Sequence, residues 1–286
     1  MATTVLNAMR EYDLTEEDFR FLARQVYDLT GIVIHERKRE MLYARLSRRL
    51  RSLNLSNFRR YCDYIGGPDG GAEIDAMINA VTTNLTYFFR ESHHFEHLRD
   101  VALPAVAATA RRSGKQKLRL WSAGCSSGEE PYSIAMTVKS GPVDFSRWDV
   151  RILATDLDTN MIAKAASGCY RAADAEGIPA ALAAKFTDEV ATSDGQEIRM
   201  RDGLKDLIAF RQLNLMGDWP VRGPFDAIFC RNVMIYFDHA TKARLINRYA
   251  DLLQSDGWLY IGHSESLSRV SDRFQPVGRT IYRRIK

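Results

Sequence analysis

No apolar run in this chain is long enough to cross a bilayer, and the opening Met-Ala-Thr-Thr-Val-Leu-Asn-Ala-Met-Arg lacks the apolar stretch of a signal peptide. These two absences predict a soluble, cytoplasmic protein. Cysteine is scarce. Cys62, Cys125, Cys169 and Cys230 are far apart and form no C-x-x-C pair. That spacing argues against structural zinc and against a disulfide scaffold, so buried or half-buried reduced thiols and no metal are expected. Internal repeats and low-complexity tracts are missing too. Net charge is only +4, so a surface for nucleic acid or an acidic partner has to be local. What is present is an ordinary globular composition, 45% hydrophobic and 27% charged, in 286 residues. That length suits one large domain or two smaller ones with a real core.

Leu14-Thr15-Glu16-Glu17-Asp18-Phe19 has the form of a helix start: Thr15 caps, Asp18 returns a bond to the cap, and Leu14 staples onto Phe19. Phe19, Leu22, Val26 and Leu29 keep helical spacing until Gly31. A second helix is predicted over about Glu36–Ser52. A third is capped by Ser56 and stopped at Gly66-Gly67, and a fourth has Ile74, Met77, Ile78 and Val81 on one face. No alternating strand pattern precedes residue 117, so the first third is predicted to be all-helical.

The pattern then changes. Strands are predicted at Leu118–Trp121, Val150–Asp156, Ile208–Leu213, Phe225–Cys230 and Trp258–Ile261, with helices following several of them, and Thr280–Ile285 alternates like an edge strand. Strands alternating with helices imply a doubly wound α/β sheet whose ligand lies at the carboxyl ends of the strands. Between the second of these helices and residue 208 the alternation breaks. Turn signals at Gly177-Ile178-Pro179, Ser193-Asp194-Gly195 and Asp202-Gly203 flank a strand-like Gln196–Arg201, which predicts a small antiparallel insertion at about 171–207.

Gly124-Cys125-Ser126-Ser127-Gly128 follows the first strand and opens a helix, where backbone amides can approach a ligand closely. Its pattern is G-x-x-x-G, not the dinucleotide fingerprint G-x-G-x-x-G. The second strand ends in Asp156, an acceptor suited to a ribose diol or, alternatively, a helix cap beside Asp158 and Thr159. This order of elements is shared by enzymes that use nicotinamide cofactors and by those that use S-adenosylmethionine.

Specific segments resemble one family. Thr82-Thr83-Asn84-Leu85-Thr86-Tyr87-Phe88-Phe89-Arg90-Glu91 with His94-Phe95, then Trp121–Ser133, Ala154-Thr155-Asp156-Leu157-Asp158, Phe229–Phe237 and Gly262-His263-Ser264-Glu265 are similar, in order, to motifs of the CheR-type chemotaxis protein glutamate O-methyltransferases. The resemblance implies a helical domain with linker over residues 1–88 and a Rossmann-like methyltransferase domain over 89–286. It further implies S-adenosylmethionine as methyl donor, S-adenosylhomocysteine as product, and cofactor contacts at Asn84, Thr86, Arg90, Glu130, Asp156, Asn214, Leu215, Arg231 and Asn232. The expected substrates are glutamate carboxylates on the cytoplasmic domains of methyl-accepting chemoreceptors, in some members with capture of a receptor's C-terminal tail by the insertion.

That reaction asks little of acid–base groups. A glutamate with a pKa of about 4.3 is already ionised at neutral pH. Anion and sulfonium lose charge toward the transition state, so a strong salt bridge to the nucleophile would stabilise the ground state more. Arg90 or Tyr236 is therefore expected to orient the carboxylate by hydrogen bonds, without acting as nucleophile or base; the alternative for Tyr236 is a core aromatic.

Residues 36–52 carry Arg37, Lys38, Arg39, Arg45, Arg48, Arg49 and Arg51, with Leu42, Leu46, Leu50 and Leu53 forming an apolar stripe. At about 100° per residue most of the cations fall beside or opposite that stripe. An exposed cationic face fits either phosphate or an acidic protein helix. The resemblance favours a receptor helix at Arg45, Arg48 and Arg49, and no aromatics interleave the arginines to stack on bases. A nucleic-acid methyltransferase is the alternative. Its Asn-Pro-Pro-aromatic segment is replaced here by Arg231-Asn232-Val233-Met234, and Cys230 falls inside a strand instead of beside a proline.

Overall fold

The computed structural model describes residues 10–193 and 195–286; Asp194, in one of the expected turns, lies outside them. Two compact units are present. One runs to Thr83 and includes the short segment Tyr236–Asp238, and the other comprises Asn84–Ile235 and His239–Lys286.

The first unit is built from helices α1 (Glu16–Thr30), α2 (Arg39–Ser52), α3 (Phe58–Gly66) and α4 (Gly71–Val81). Thr15 caps α1, its Oγ1 accepting from Asp18 N at 3.1 Å and donating to the Asp18 carboxylate at 2.7 Å. Gly31, at φ +73°, ends that helix. Leu14, Phe19, Leu22 and Val26 pack with Leu42, Leu46, Leu50, Phe58, Tyr61 and Met77 in one core. Two local expectations change. The second helix opens with a 3-10 turn at Glu36–Lys38, and α3 is capped by Asn57, not Ser56, whose Oδ1 accepts from Arg60 N at 2.9 Å.

The second unit opens with α5 (His93–His97), a π turn (Leu98–Ala102) and α6 (Leu103–Ser113). It continues as β1 (Lys117–Ala123), α7 (Glu129–Ser140), β2 (Asp149–Asp156), α8 (Thr159–Ser167) and β3 (Cys169–Arg171). After α9 (Ala180–Phe186) come β4 (Thr187–Thr192), β5 (Gly195–Met200), α10 (Asp202–Lys205), β6 (Ile208–Gln212) and β7 (Phe225–Cys230). It closes with α11 (His239–Leu252), β8 (Leu253–Ile261), β9 (Phe274–Gly278) and β10 (Ile281–Arg284). The main sheet has the order β6-β2-β1-β7-β8-β10-β9. Its β6, β2, β1, β7 and β8 are parallel, while β10 is antiparallel to both its neighbours. β1 and β7 hold the central places, as their burial dictates: Leu118, Leu120, Trp121, Ala227, Ile228 and Phe229 have almost no exposed surface. β3, β5 and β4 form the antiparallel insertion. The C-terminal strand is not an edge. β9 lies outside it, and Pro276 and Gly278 in β9 suppress the strand signal in the sequence while suiting an edge position.

From β1 the chain winds to β2 and β6 on one side, then returns to β7 and β8 on the other. Strand order therefore reverses between β1 and β7, and a doubly wound sheet opens its ligand crevice at such a point.

Candidate active site

The glycine loop after β1 is tied to the end of β2 by its own main chain. Gly124 N and Cys125 N both donate to Thr155 O, at 2.7 and 2.9 Å. One residue on, Ser126 N donates to Asp156 Oδ2 at 2.7 Å, and Asp158 N donates to Asp156 Oδ1 at 2.9 Å. Both Asp156 oxygens thus accept from main-chain amides. Burial pushes this carboxyl above its ordinary value, and the amides from Asp158 and Ser126 pull the other way. The helix-cap role falls to Asp158 instead, whose Oδ1 accepts from Asn160 N and Met161 N. At the loop's far end Gly128 takes φ +100°, and a Cβ there would stand 2.7 Å from Tyr170 Oη and 2.8 Å from Ala165 Cβ. Only glycine fits this approach.

Across the switch point, β7 delivers Arg231. Its Nη1 donates to Glu130 Oε2 at 3.0 Å, and Glu130 Oε1 accepts from Ser122 Oγ at 2.7 Å. The guanidinium also donates to the carbonyl of Arg90 and lies 3.7 Å from Glu91 Oε1. Arg231 and Glu130 are both buried, so their pairing offsets a large desolvation cost.

The segment from Asn84 to Arg90 is stitched over this arrangement. Ser126 Oγ donates to Asn84 O at 3.1 Å, and Asn84 Nδ2 donates to Asp158 Oδ2 at 2.8 Å. Burial alternates along it: Asn84 and Thr86 are half-buried, while Leu85 and Tyr87 are exposed. Arg90 Nη1 donates to Leu85 O at 3.0 Å, and its guanidinium lies over the Tyr87 ring. Beyond β6, Asn214 Oδ1 accepts from Met216 N at 2.9 Å, and Arg248 Nη1 donates to Leu215 O at 2.8 Å. Asn232 sits in the left-handed region at φ +60°.

The donor set fits S-adenosylmethionine. Asp156 and Glu130 offer acceptors for hydroxyl or ammonium groups beside a loop of close-approaching main chain, and Asn84, Thr86, Arg90, Asn214, Leu215, Arg231 and Asn232 belong to the same compact unit. Matching the chain against protein families gives two results. Residues 84–283 match "CheR methyltransferase, SAM binding domain", and residues 17–82 match "CheR methyltransferase, all-alpha domain". The chain belongs to the CheR methyltransferase family. It is therefore an S-adenosylmethionine-dependent methyltransferase, and the resemblance seen in the sequence is borne out over both units. A probable chemotaxis protein methyltransferase of Rhizobium etli is 44% identical over 259 residues, 90% of this chain and 96% of that one. The chemotaxis protein methyltransferase of Escherichia coli is 43% identical, covering 98% of this chain and 95% of that one. Chemotaxis protein methyltransferase 2 of Pseudomonas aeruginosa is 41% identical over 96% of this chain and 95% of its own.

Tyr236 belongs by its contacts to the helical unit. Its carbonyl accepts from Val33 N at 2.9 Å, and Lys38 Nζ lies 4.9 Å from the centre of its ring. The expected cationic face of α2 is only partly open. Arg48 and Arg37 are exposed, but Arg45 donates to Val81 O and Thr82 O at 2.7 and 2.6 Å. Arg49 forms a two-point bond to the buried Glu73 at 2.9 and 2.6 Å. An arginine beside an apolar stripe lies close enough to reach carbonyls and carboxylates on the next helix, which helical periodicity does not register.

Several site groups escaped the sequence reading although their motifs were in view. Ser122 and Ser126 bond Glu130 and Asp156, and Glu91 takes His263 Nδ1 at 3.0 Å. Burial opposes ionisation of Glu91, but the His263 bond and the Arg231 charge outweigh it and lower its pKa. Glu91, His93 and His94 place metal-ligand atoms within 4.8 Å of one another. Burial and the Arg231 charge push His94 down to about 2, and the same guanidinium opposes a divalent cation there.

Proposed function

We propose that this enzyme methylates glutamate side chains on the cytoplasmic domains of methyl-accepting chemotaxis receptors, giving glutamate methyl esters, and that it works in the cytoplasm at receptor arrays. What carries the reading is kinship along the whole chain, helical unit included, with proteins named chemotaxis protein methyltransferases.

When bound, S-adenosylmethionine supplies an electrophilic methyl group. Asp156 and Glu130 hold its hydroxyl and ammonium groups, Asn214 and Leu215 take the adenine end, and Asn84, Thr86, Arg231 and Asn232 complete the enclosure. The acceptor glutamate arrives ionised, so the protein's work is to aim one carboxylate oxygen and exclude water. Arg90 suits that role. Its guanidinium is half-exposed and engaged by a neutral carbonyl, so it orients a carboxylate without a buried ion pair that would hold the ground state too tightly. Arg48, with Arg45 and Arg49 beside it, receives the acidic receptor helix. In the insertion, β4 pairs with β5 on one side only, leaving an edge able to accept a receptor tail as an added strand.

The test is transfer of labelled methyl from S-adenosylmethionine to receptor-bearing membranes, followed by mild base. Label released as methanol supports an ester. Label retained in base-stable form, or transferred to RNA in preference to receptor, overturns the reading.

A further inference from the structure

Glu265, in the turn after β8, has no role among the cofactor and substrate contacts, yet its carboxylate is surrounded by main-chain donors. Oε2 accepts from Gly262 N at 2.6 Å and from Asn232 N at 3.1 Å, and Oε1 accepts from Ile235 N at 3.2 Å. The amides belong to two separate segments, one leaving β7 and the other leaving β8. Neither segment has a strand partner at that point, so the carboxylate satisfies donors that a ladder would otherwise take.

Two further features show how tightly this junction is set. Asn232 holds φ +60°, a left-handed conformation that asparagine adopts more readily than other residues with a side chain. Gly262 faces it so closely that a Cβ would stand 2.7 Å from Asn232 N and 2.9 Å from Asn232 Cγ. Burial raises the Glu265 pKa while the amides of Gly262, Asn232, Ile235 and Met234 lower it, which is the balance of an enclosed anion held by dipoles.

We propose that Glu265 is a positioning residue for methyl transfer: it locks the Asn232–Ile235 segment in the shape that presents Arg231 and Asn232 to the cofactor. This deepens the functional reading and rests on its assignment of Arg231 and Asn232 as cofactor contacts. A carboxylate is the group required. Its two oxygens accept from both segments at once, whereas a glutamine turns one acceptor into a donor facing an amide N–H.

The test compares Glu265→Gln, Gly262→Ala and Asp156→Ala with the full-length parent, well below their melting temperatures. Gly262→Ala displaces Asn232 directly and leaves the carboxylate in place. Calorimetric titration with S-adenosylhomocysteine should show a loss of about tenfold or more in affinity for Glu265→Gln and for Gly262→Ala. The KM for S-adenosylmethionine should rise and kcat fall, with the KM for receptor within about twofold of the parent. Hydrogen exchange should quicken in residues 231–236 and 262, with the rest of the sheet unchanged, a local pattern that general destabilisation does not produce. Affinity and kcat within about twofold of the parent in folded Glu265→Gln overturn the proposal, and should that variant fail to fold, Glu265→Asp, whose shorter carboxylate cannot reach both segments, decides on the same readouts. If Asp156→Ala also binds normally, the cofactor-site reading itself is wrong. If only Asp156→Ala is impaired, the site stands and the positioning role falls.

Discussion

Arg231 Nη1 lies 3.0 Å from Glu130 Oε2, a buried ion pair that joins the end of β7 to the first turn of α7 across the point where strand order reverses. Both partners are among the residues proposed to hold the cofactor, and on that assignment stability and ligand binding are coupled through one contact. Arg231→Met should lower stability by about 3 kcal/mol, because Glu130 is left as a buried charge with only the Ser122 hydroxyl. Urea unfolding, together with titration by S-adenosylhomocysteine, should show both losses in the one variant. Loss of neither would mean that Glu130 is satisfied by other groups.

Asp156→Ala should weaken both S-adenosylmethionine and S-adenosylhomocysteine, by about 1.5–3 kcal/mol, or roughly tenfold or more. The same change frees the amides of Ser126 and Asp158, which loosens the loop that carries them. Calorimetry on the folded variant decides the matter, and unchanged affinity for both ligands would count against the assignment.

Two neighbouring arginines of α2 should behave oppositely. Arg49→Ala strands the buried Glu73 with Tyr61 as its remaining partner, and should cost about 2–3 kcal/mol in thermal or urea unfolding. Arg48→Glu lies in the open and should leave stability within about 0.5 kcal/mol. It should raise the KM for receptor without affecting cofactor affinity. That defect should shrink as salt rises, since exposed charges are screened beyond about 8–10 Å at ordinary ionic strength. A salt-independent defect would point away from charge pairing.

Asp226 gives a pH signature. Burial raises its pKa to about 6, above the unfolded value near 3.9, although Arg119 N donates to its Oδ2 at 2.8 Å. A raised acid contributes stability below its unfolded pKa and loses it as pH climbs through 6. Asp226→Asn should therefore exceed the parent in stability at pH 7.5, on the order of 1–3 kcal/mol, with the difference vanishing near pH 4. Paired urea melts at the two pH values test this, and a constant difference would mean that Asp226 is not strained when ionised.

Gly128→Ala should destabilise the fold by about 2 kcal/mol or more, from the positive φ and from contact with Tyr170 and Ala165. Differential scanning calorimetry measures it directly.

Much of this protein is legible in its residues taken in order. The capped start at Thr15, the apolar stripe of Leu42, Leu46 and Leu50, and the glycine loop followed one strand later by Asp156 are local patterns. Backbone geometry converts such patterns into helix, core face and ligand loop without help from distant chain. The ordered motifs carried the family for the same reason, since each is a contiguous stretch.

What only the tertiary structure decided are relationships between residues far apart in the chain. Arg49 is a solvated cation by periodicity and becomes half of a part-buried pair because α4 brings Glu73 within 2.6 Å. The C-terminal strand has the alternation of an edge, yet it lies inside β9 because Phe274–Gly278 folds back beside it. Glu265 is one acid in a short motif until β7 and β8, pairing in parallel, bring the amides of Asn232, Ile235 and Gly262 around its carboxylate. A sequence records periodicity and caps because those depend on neighbours within a few residues. Which polar group meets which across the sheet depends on strand order and register, and these are settled only when the core packs.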